Sequence, residues 1–541
     1  MFPLRKVPTS YHVFEEDGVT VSLPYLKPTH MLNYLLTDEP WLLLGGLKPG
    51  GEARQLLATF WNLYRSEHGS HEVFRMAAEN KIRLDQTIPL ILHGDSGRTL
   101  KKQPLEVLSF RPALGLDTEA NILKCKCSQT STYSGARKSS PMAQRLNNKH
   151  SSYLTHFLTC AFPSKKFKST PGLLMSMLEA MSMDLRVACC DGIAIGNTVY
   201  HVAILGMAGD FEWHAKTGLL NRSYQNVGHK NFIPCCSECL AGSMQFPFEE
   251  VSSNPKWKDS LYRSPPWTEL PPFRHIPFTD WNSGEAARFF KKDPFHICRL
   301  GIFRNFIGST IVLLCLEGVF DIQGASRAIQ ERLARAWMAF TLWCDTHSVS
   351  TSGVRSFSKE KLHMPTMGSF PWLGCKGSDS ILLLRWLRFL GGLQRVADPA
   401  SIVFPLIVQA TDSALAFQAI HRHGIWLKKS CRKGISRSAL GFVQNYARLA
   451  HNTYQRQLQL YAMVPKIHSM HHFPVELETS GEHLACNPAL FDCSMSEDFI
   501  GRVARQSRRV SYVNVVHSTI LAYKVKARFV IKRFKKQKFK C

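Results

Sequence analysis

The chain has 541 residues, 45% hydrophobic and 20% charged, a globular composition that excludes a disordered or low-complexity protein. With 67 Lys and Arg against 41 Asp and Glu it carries a formal charge of +26, so a polyanionic partner is expected, either nucleic acid or an acidic membrane surface. The first residues, MFPLRKVPTSYHVFEEDG, lack the apolar run of a signal peptide, and 16 cysteines without regular spacing suit a reducing compartment rather than a disulfide scaffold.

Residues 1–85 read as a mainly irregular and helical region of unassigned role. Turn signals at 26–28, 45–46 and 49–51 surround one helix at 52–66, on which Leu56, Leu57, Phe60, Leu63 and Tyr64 recur close to the helical period. No Cys/His finger or helix-turn-helix pattern is present there.

From residue 88 the pattern becomes α/β. A strand at 88–92 runs out into His93-Gly94-Asp95, followed by a basic turn at 98–102, a second strand at 105–110, a polar loop at 116–149 and a third strand at 153–162. Thr170 and Pro171 mark the start of a helix whose core face is Leu174, Met177, Leu178, Met181 and Leu185. A fourth, largely apolar strand at 199–207 then ends in Ala208-Gly209-Asp210. Open α/β sheets place their chemistry at the C-terminal ends of such strands.

Three strands, a helix and a fourth strand make an RNase H-like order, in which strands one and four are neighbours. Their ends would bring Asp95 and Asp210 together as oxygen ligands for Mg²⁺, or Mn²⁺. Two ions roughly 3.5–4 Å apart steady the attacking and leaving oxygens of an in-line phosphoryl transfer. Taken singly, each aspartate also reads as a helix cap or turn former. The matched strands favour the catalytic reading.

Downstream, Cys236 and Cys239 have zinc-ligand spacing, with His229 and His296 as candidate partners and a structural role in fixing the segment after the strand. A Pro-rich linker at 264–273 leads into an aromatic-rich helical block, 246–485, read as a large all-α insertion. Its most apolar stretch, 302–320, is interrupted by Arg304 and Glu317 and suits a buried helix better than a membrane span. Asp293 reads there as a helix cap and His296 as a core residue. The block closes near Pro465-Lys-Ile-His468. Ser496-Glu497-Asp498 then opens a helix with Phe499, Val503 and Val510 on one face and Arg502, Arg505, Arg508 and Arg509 on the following turns. That start is a good helix cap, and it also supplies a third acid, Glu497, with Asp498 competing. The basic end, with Lys532, Arg533, Lys535 and Lys536 interleaved with phenylalanines, reads as a nucleic-acid contact, an import signal or a solvated tail.

This ordered set resembles the catalytic region of eukaryotic cut-and-paste DDE transposases. It is most similar to the Kyakuja–Dileera–Zisupton and CACTA-type families and to the transposase-like chains of dinoflagellate genomes. In those families a Pro-Lys-Phe-His-like motif precedes the final acid, as Pro465-Lys-Ile-His468 does here, and in the related hAT group a Ser-Glu-Arg motif supplies it, as Ser496-Glu497 would. The resemblance covers about residues 86–240 and 460–510. It implies an RNase H-like core beginning at 86–245, interrupted by the helical block and completed by a returning helix and basic tail at 486–541. It further implies Asp95, Asp210 and Glu497 as the Mg²⁺-binding triad, DNA as partner, a nuclear location and no membrane, and it leaves a homo-oligomer open. The activity implied is DNA cleavage and strand transfer; a transposase-derived DNA-binding protein that no longer cuts is the alternative. Two features depart from the pattern: the Gly-Glu…Glu-Arg form of the Zisupton motif is not reproduced, and Cys239 stands where many relatives have His.

Overall fold

The computed structural model describes residues 6–16, 18–98, 104–118, 144–228, 233–479, 484–508, 510 and 514–539. Strands β1 (Ser10–Glu16) and β2 (Val19–Tyr25) form an antiparallel hairpin ahead of α1 (Pro28–Asp38), α2 (Gly51–Arg65) and α3 (Glu72–Ala78). The helix expected at 52–66 is α2. The hairpin is an addition to the irregular and helical region expected there, and its sequence signal is the Asp17-Gly18 pair, with Gly18 at φ 76°.

The main sheet is built from β3 (Thr87–Arg98), β4 (Pro104–Pro112), β5 (Phe157–Pro163), β6 (Ile193–Ile195), β7 (Thr198–Ala208) and β8 (Phe290–Lys291). Its order is β5-β4-β3-β7-β6, with β8 beside the end of β7. β3, β4 and β5 are antiparallel, β7 runs parallel to β3, β6 is antiparallel to β7, and β8 is parallel to it. The protein is therefore a mixed α/β structure whose sheet combines parallel and antiparallel strands. β3 and β7 are apolar in continuous runs because both lie inside the sheet with their faces covered, and Ile88, Leu90, Ile91, Ile204 and Leu205 are wholly buried. A bulge shifts their register after Leu90–Ile204, and Gly206 sits there at φ 147°. A Cβ at Gly206 would lie 2.5 Å from the Phe289 carbonyl oxygen, so glycine is what lets β8 approach.

Short helices α4 (Ser152–Thr155) and α5 (Ser164–Ser169) flank β5, and α6 (Leu173–Cys190) crosses from it towards β6 and β7. The third strand thus starts at Phe157 instead of 153, because Ser152–Thr155 closes a helical turn first. Helix α6 starts at Leu173 instead of Pro171: Gly172, left-handed at φ 77°, is its N-cap, and Thr170 is the extended residue that ends α5. The core face, from Leu174 to Leu185, is buried as the spacing predicts.

After β7 comes α7 (Phe211–Thr217), and after β8 a π-helical turn at Phe295–Ile302 that runs into α8 (Phe303–Leu316). Helices α9 (Ile329–Thr346), α10 (Gly377–Ala397) and α11 (Val403–Phe417) follow, then β9 (Trp426–Lys428), α12 (Lys429–Gln455), α13 (Pro465–Thr479) and β10 (Leu484–Cys486). The block at 246–485 is largely helical, but it is not all-α as expected. β8 from within it joins the main sheet, and β9 pairs antiparallel with β10. Among the described residues, two helices, Phe295–Leu316 and Val403–Arg422, are long and apolar enough to cross a membrane. The first is 78% buried over its apolar window, with Phe303 and Phe306 packed edge-on against Phe442 of α12.

The chain ends in α14 (Ser494–Ser507), which packs on β3, and α15 (Val515–Lys538), which packs on β5 and α14. The expected basic tail is the last part of α15. Ile520, Tyr523, Ala527 and Ile531 bury one stripe of it, Phe534 stacks on Trp41 at 5.6 Å, and Lys535 pairs with Glu39 at 3.0 Å.

Candidate metal centres

The parallel register of β3 and β7 sets the first half of the site. Pairing runs from Thr87–His201 to His93–Ala208, so Asp95 and Asp210 each lie two residues past the last pair, side by side at the sheet's end. The residues between are glycines. A Cβ on Gly94 would lie 2.2 Å from the Trp213 ring, and one on Gly209 would lie 2.9 Å from the Gly94 carbonyl oxygen. Asp95 remains in β3 opposite Val107 and accepts the Ser96 N–H at 2.6 Å. Asp210 is the N-cap of α7, its Oδ1 accepting the Trp213 N–H at 2.7 Å.

Glu497 arrives on the first turn of α14. That helix lies close to β3 because Gly97 has no side chain; a Cβ there would meet the Ile500 methyl at 2.6 Å. Phe499 and Val503 are fully buried and set the rotation of α14 about its axis. One oxygen each of Asp95 and Glu497 and one ring nitrogen of His296 lie within 4.8 Å of one another. His296 Nε2 is 3.5 Å from Glu497 Oε1 and 3.9 Å from Asp95 Oδ2. Asp498 faces away, paired with Arg502 at 2.6 Å and accepting the Ser152 hydroxyl at 2.7 Å. Of the two adjacent acids, Glu497 is the one that meets Asp95.

Burial pushes Asp95 well above the usual carboxylate range, and the neighbouring charges of Glu497 and Asp210 push the same way. Glu497 is raised too, by burial and then by Asp293 and Asp210, against the opposing effect of its hydrogen bond with Asp95. His296 is displaced upward: burial works against its charge, but the hydrogen bond and charge of Asp293, followed by Asp95 and Asp210, outweigh it. Among the described residues, no Lys or Arg forms an ion pair with Asp95, Asp210 or Glu497, and the buried Glu497 Oε1 has no hydrogen-bond partner. Mutually repelling carboxylates with an orphaned oxygen fit a hard divalent cation, which would hold all of them ionised. Lys466 of α13 stands in the field of Asp210 with its Nζ 5.7 Å from the Phe211 ring centre; burial lowers its pKa and Asp210 opposes that shift.

A second cluster joins Cys236 and Cys239 to His468 and His472 of α13, all four buried. Cys236 Sγ is 3.4 Å from His472 Nε2, Cys239 Sγ is 3.2 Å from His468 Nε2 and 3.7 Å from His472 Nε2, and the two Nε2 atoms are 3.0 Å apart. A tetrahedral ion with ordinary Zn–S and Zn–N bonds would separate these atoms by about 3.4–3.6 Å, so the four donors already surround a metal-sized position. The hydrogen bond from Cys239 holds the Cys236 thiol well below its usual range, against burial and helped by both imidazoles. Behind the donors, Trp257 stacks on His472 at 4.5 Å, and His472 Nδ1 lies 3.7 Å from Glu238 and 3.6 Å from Glu476. The partners expected from the sequence are thus replaced. His296 belongs to the carboxylate cluster, and His229 lies outside the described residues.

No protein-family model matches this chain, and no curated protein is significantly similar to it.

The basic residues are spread over α14 and α15. Arg502 is held by Asp498 and lies over the Tyr153 ring at 5.8 Å, and Arg505 and Arg508 are exposed on the same helix. Arg509 lies outside the described residues. Lys532, Arg533, Lys535 and Lys536 are exposed on α15. Two residues without an expected ligand role, His468 and His472, complete the sulfur cluster, Lys466 comes to stand near Asp210, and His296, expected beside the thiols or in the core, joins the carboxylates instead. His468 and His472 repeat at i, i+4 on one helix, which is the signal that could have matched them to the Cys-x-x-Cys pair.

Proposed function

We propose that this protein is a transposase-like enzyme that cleaves and transfers DNA strands on an RNase H-like sheet, with 246–485 looped out as a large insertion. The observation that carries the reading is the meeting of Asp95, from a strand end, with Glu497, from a distant helix, and His296 within 4.8 Å of one another, with the charge of Asp210 from the neighbouring strand end acting on both acids and, among the described residues, no Lys or Arg ion-paired to any of the three acids. The strand order and the mixed parallel and antiparallel pairing support the RNase H-like assignment.

In this reading Asp95, Asp210 and Glu497 hold Mg²⁺ or Mn²⁺. Bound divalent cations supply an activated water and charge neutralisation at the scissile phosphate. Lys466, buried beside Asp210, is placed to offset charge building on a phosphate at that end of the cluster. Arg505 and Arg508, on the helix that carries Glu497, would hold the DNA backbone running away from the site. The Cys236, Cys239, His468 and His472 set would bind zinc structurally. It would tie the segment after α7 to α13 two residues from Lys466. DNA as substrate implies a nuclear location.

The test is cleavage of a plasmid carrying the genomic sequence that flanks this gene. Nicks in that flanking sequence should require Mg²⁺ or Mn²⁺, disappear in Asp210→Ala and Glu497→Gln, and persist in Asp498→Asn. Metal-independent nicking, or nicking retained by Asp210→Ala, refutes the reading. Salt-steep DNA binding without any cleavage by the wild type would favour a DNA-binding protein that no longer cuts.

A further inference from the structure

We infer that His296 is a fourth protein ligand of the carboxylate centre, and that its nitrogen shifts the centre's preference from Mg²⁺ towards Mn²⁺. This rests on the reading of Asp95, Asp210 and Glu497 as metal ligands.

The imidazole is held as metal-binding imidazoles are held. Nδ1 lies 2.6 Å from Asp293 Oδ2, and a carboxylate in that position accepts, so Nδ1 carries the proton and the neutral ring turns its Nε2 lone pair, available to a metal, towards the acids. The Asp293 carboxylate cannot swing, because its Oδ1 also accepts the Phe295 N–H at 2.8 Å and the Cys493 N–H at 2.9 Å. Cys493 is the residue just before α14. One buried carboxylate therefore fixes both the His296 ring and the start of the helix that delivers Glu497.

Distances separate this arrangement from an ordinary buried histidine. Nε2 faces two carboxylates at 3.5 and 3.9 Å, both longer than a charge-assisted hydrogen bond. An octahedral ion with bonds of about 2.1 Å places adjacent ligand atoms about 3.0 Å apart. Contraction by less than about 1 Å would bring His296 Nε2 to that spacing from both Asp95 Oδ2 and Glu497 Oε1. Mg²⁺ prefers oxygen donors and retained water, whereas imidazole suits the first-row transition metals. An oxygen-only triad would bind the two cations with little distinction; the triad with His296 would not.

The experiment uses the full chain, with stoichiometric Zn²⁺ to fill the sulfur site, loaded with Mn²⁺ alone. Electron spin-echo modulation of the bound Mn²⁺ should show directly coordinated ¹⁴N, converting to the ¹⁵N pattern when the histidines are ¹⁵N-labelled; this readout needs no variant. Binding of this Mn²⁺ should be lost in Asp95→Asn. In His296→Gln the nitrogen coupling should vanish, Mn²⁺ affinity should fall about tenfold or more, and Mg²⁺ affinity should change much less. Mn²⁺ bound in an Asp95-dependent way without nitrogen coupling overturns this inference and leaves the carboxylate centre standing. No Asp95-dependent Mn²⁺ binding at all overturns both.

Discussion

Gly94 stands between a buried histidine and a buried aspartate, and its replacement by alanine tests how the site is assembled. The added Cβ would lie 2.2 Å from two atoms of the Trp213 indole and 2.5 Å from its nitrogen, against an ordinary contact of 3.4–4 Å. The indole would have to retreat by more than about 1 Å, and overpacking of that kind costs roughly 1–3 kcal/mol. The Trp213 side chain is buried, and its backbone N–H is the donor that caps α7 on Asp210, so a displacement that reaches the Trp213 backbone would also disturb Asp210. On the proposed reading, such a displacement would open the Asp95–Asp210 spacing and weaken metal binding. If the wild type is assayed at a Mn²⁺ concentration 100-fold above Kd, the metal stabilises it by about 2.7 kcal/mol; a tenfold weaker site at the same concentration would give about 1.4 kcal/mol. Denaturant unfolding with and without Mn²⁺ measures both terms. Gly94→Ala should lower metal-free stability and also roughly halve the metal-induced gain. A variant that loses stability but keeps the full gain would show that the β3–α7 contact does not position the carboxylates. One that keeps both would refute the steric argument altogether.

The carboxylate cluster also predicts a pH dependence. Asp95 and Glu497 hold protons more tightly folded than unfolded, so without metal their contribution to stability is greatest at low pH and falls as pH rises from the usual carboxylate range through the raised folded values. Divalent cation reverses this by binding the ionised form, so the Mn²⁺-induced rise in midpoint should grow as pH rises above the usual carboxylate range, and a constant rise would contradict the shared cluster. Metal analysis of the purified chain should find one zinc per molecule, lost in Cys239→Ser and His472→Gln; at 1,000-fold above Kd its removal would cost about 4 kcal/mol, and a chain melting identically with and without chelator would exclude a structural metal. For duplex DNA, Arg505→Ala and Arg508→Ala should each reduce the slope of log K against log salt by roughly 0.9, whereas an unchanged slope would place the DNA elsewhere.

Much of the site was legible because the information is local. An apolar run that ends in a small residue and an acid marks Asp95 and Asp210 as acids at neighbouring strand ends, since burial on both faces imposes the run and the strand's end breaks it. The 3.6-residue period marked the buried face of α6, and Cys236-x-x-Cys239 announced a pair of thiols. The tertiary structure decided what each of these meets. Glu497 and not Asp498 meets Asp95 because the burial of Phe499 and Val503 fixes the rotation of α14, and because Arg502 and Ser152 hold Asp498. The thiols find His468 and His472 through the folding back of α13, and His296 leaves the core role expected of it because Asp293 turns its ring towards the acids. The basic end became a docked helix where Phe534 found Trp41. Short-range periodicity records how deeply a residue is buried, but the partner of a residue hundreds of positions away depends on chain closure and packing, and no local pattern carries that.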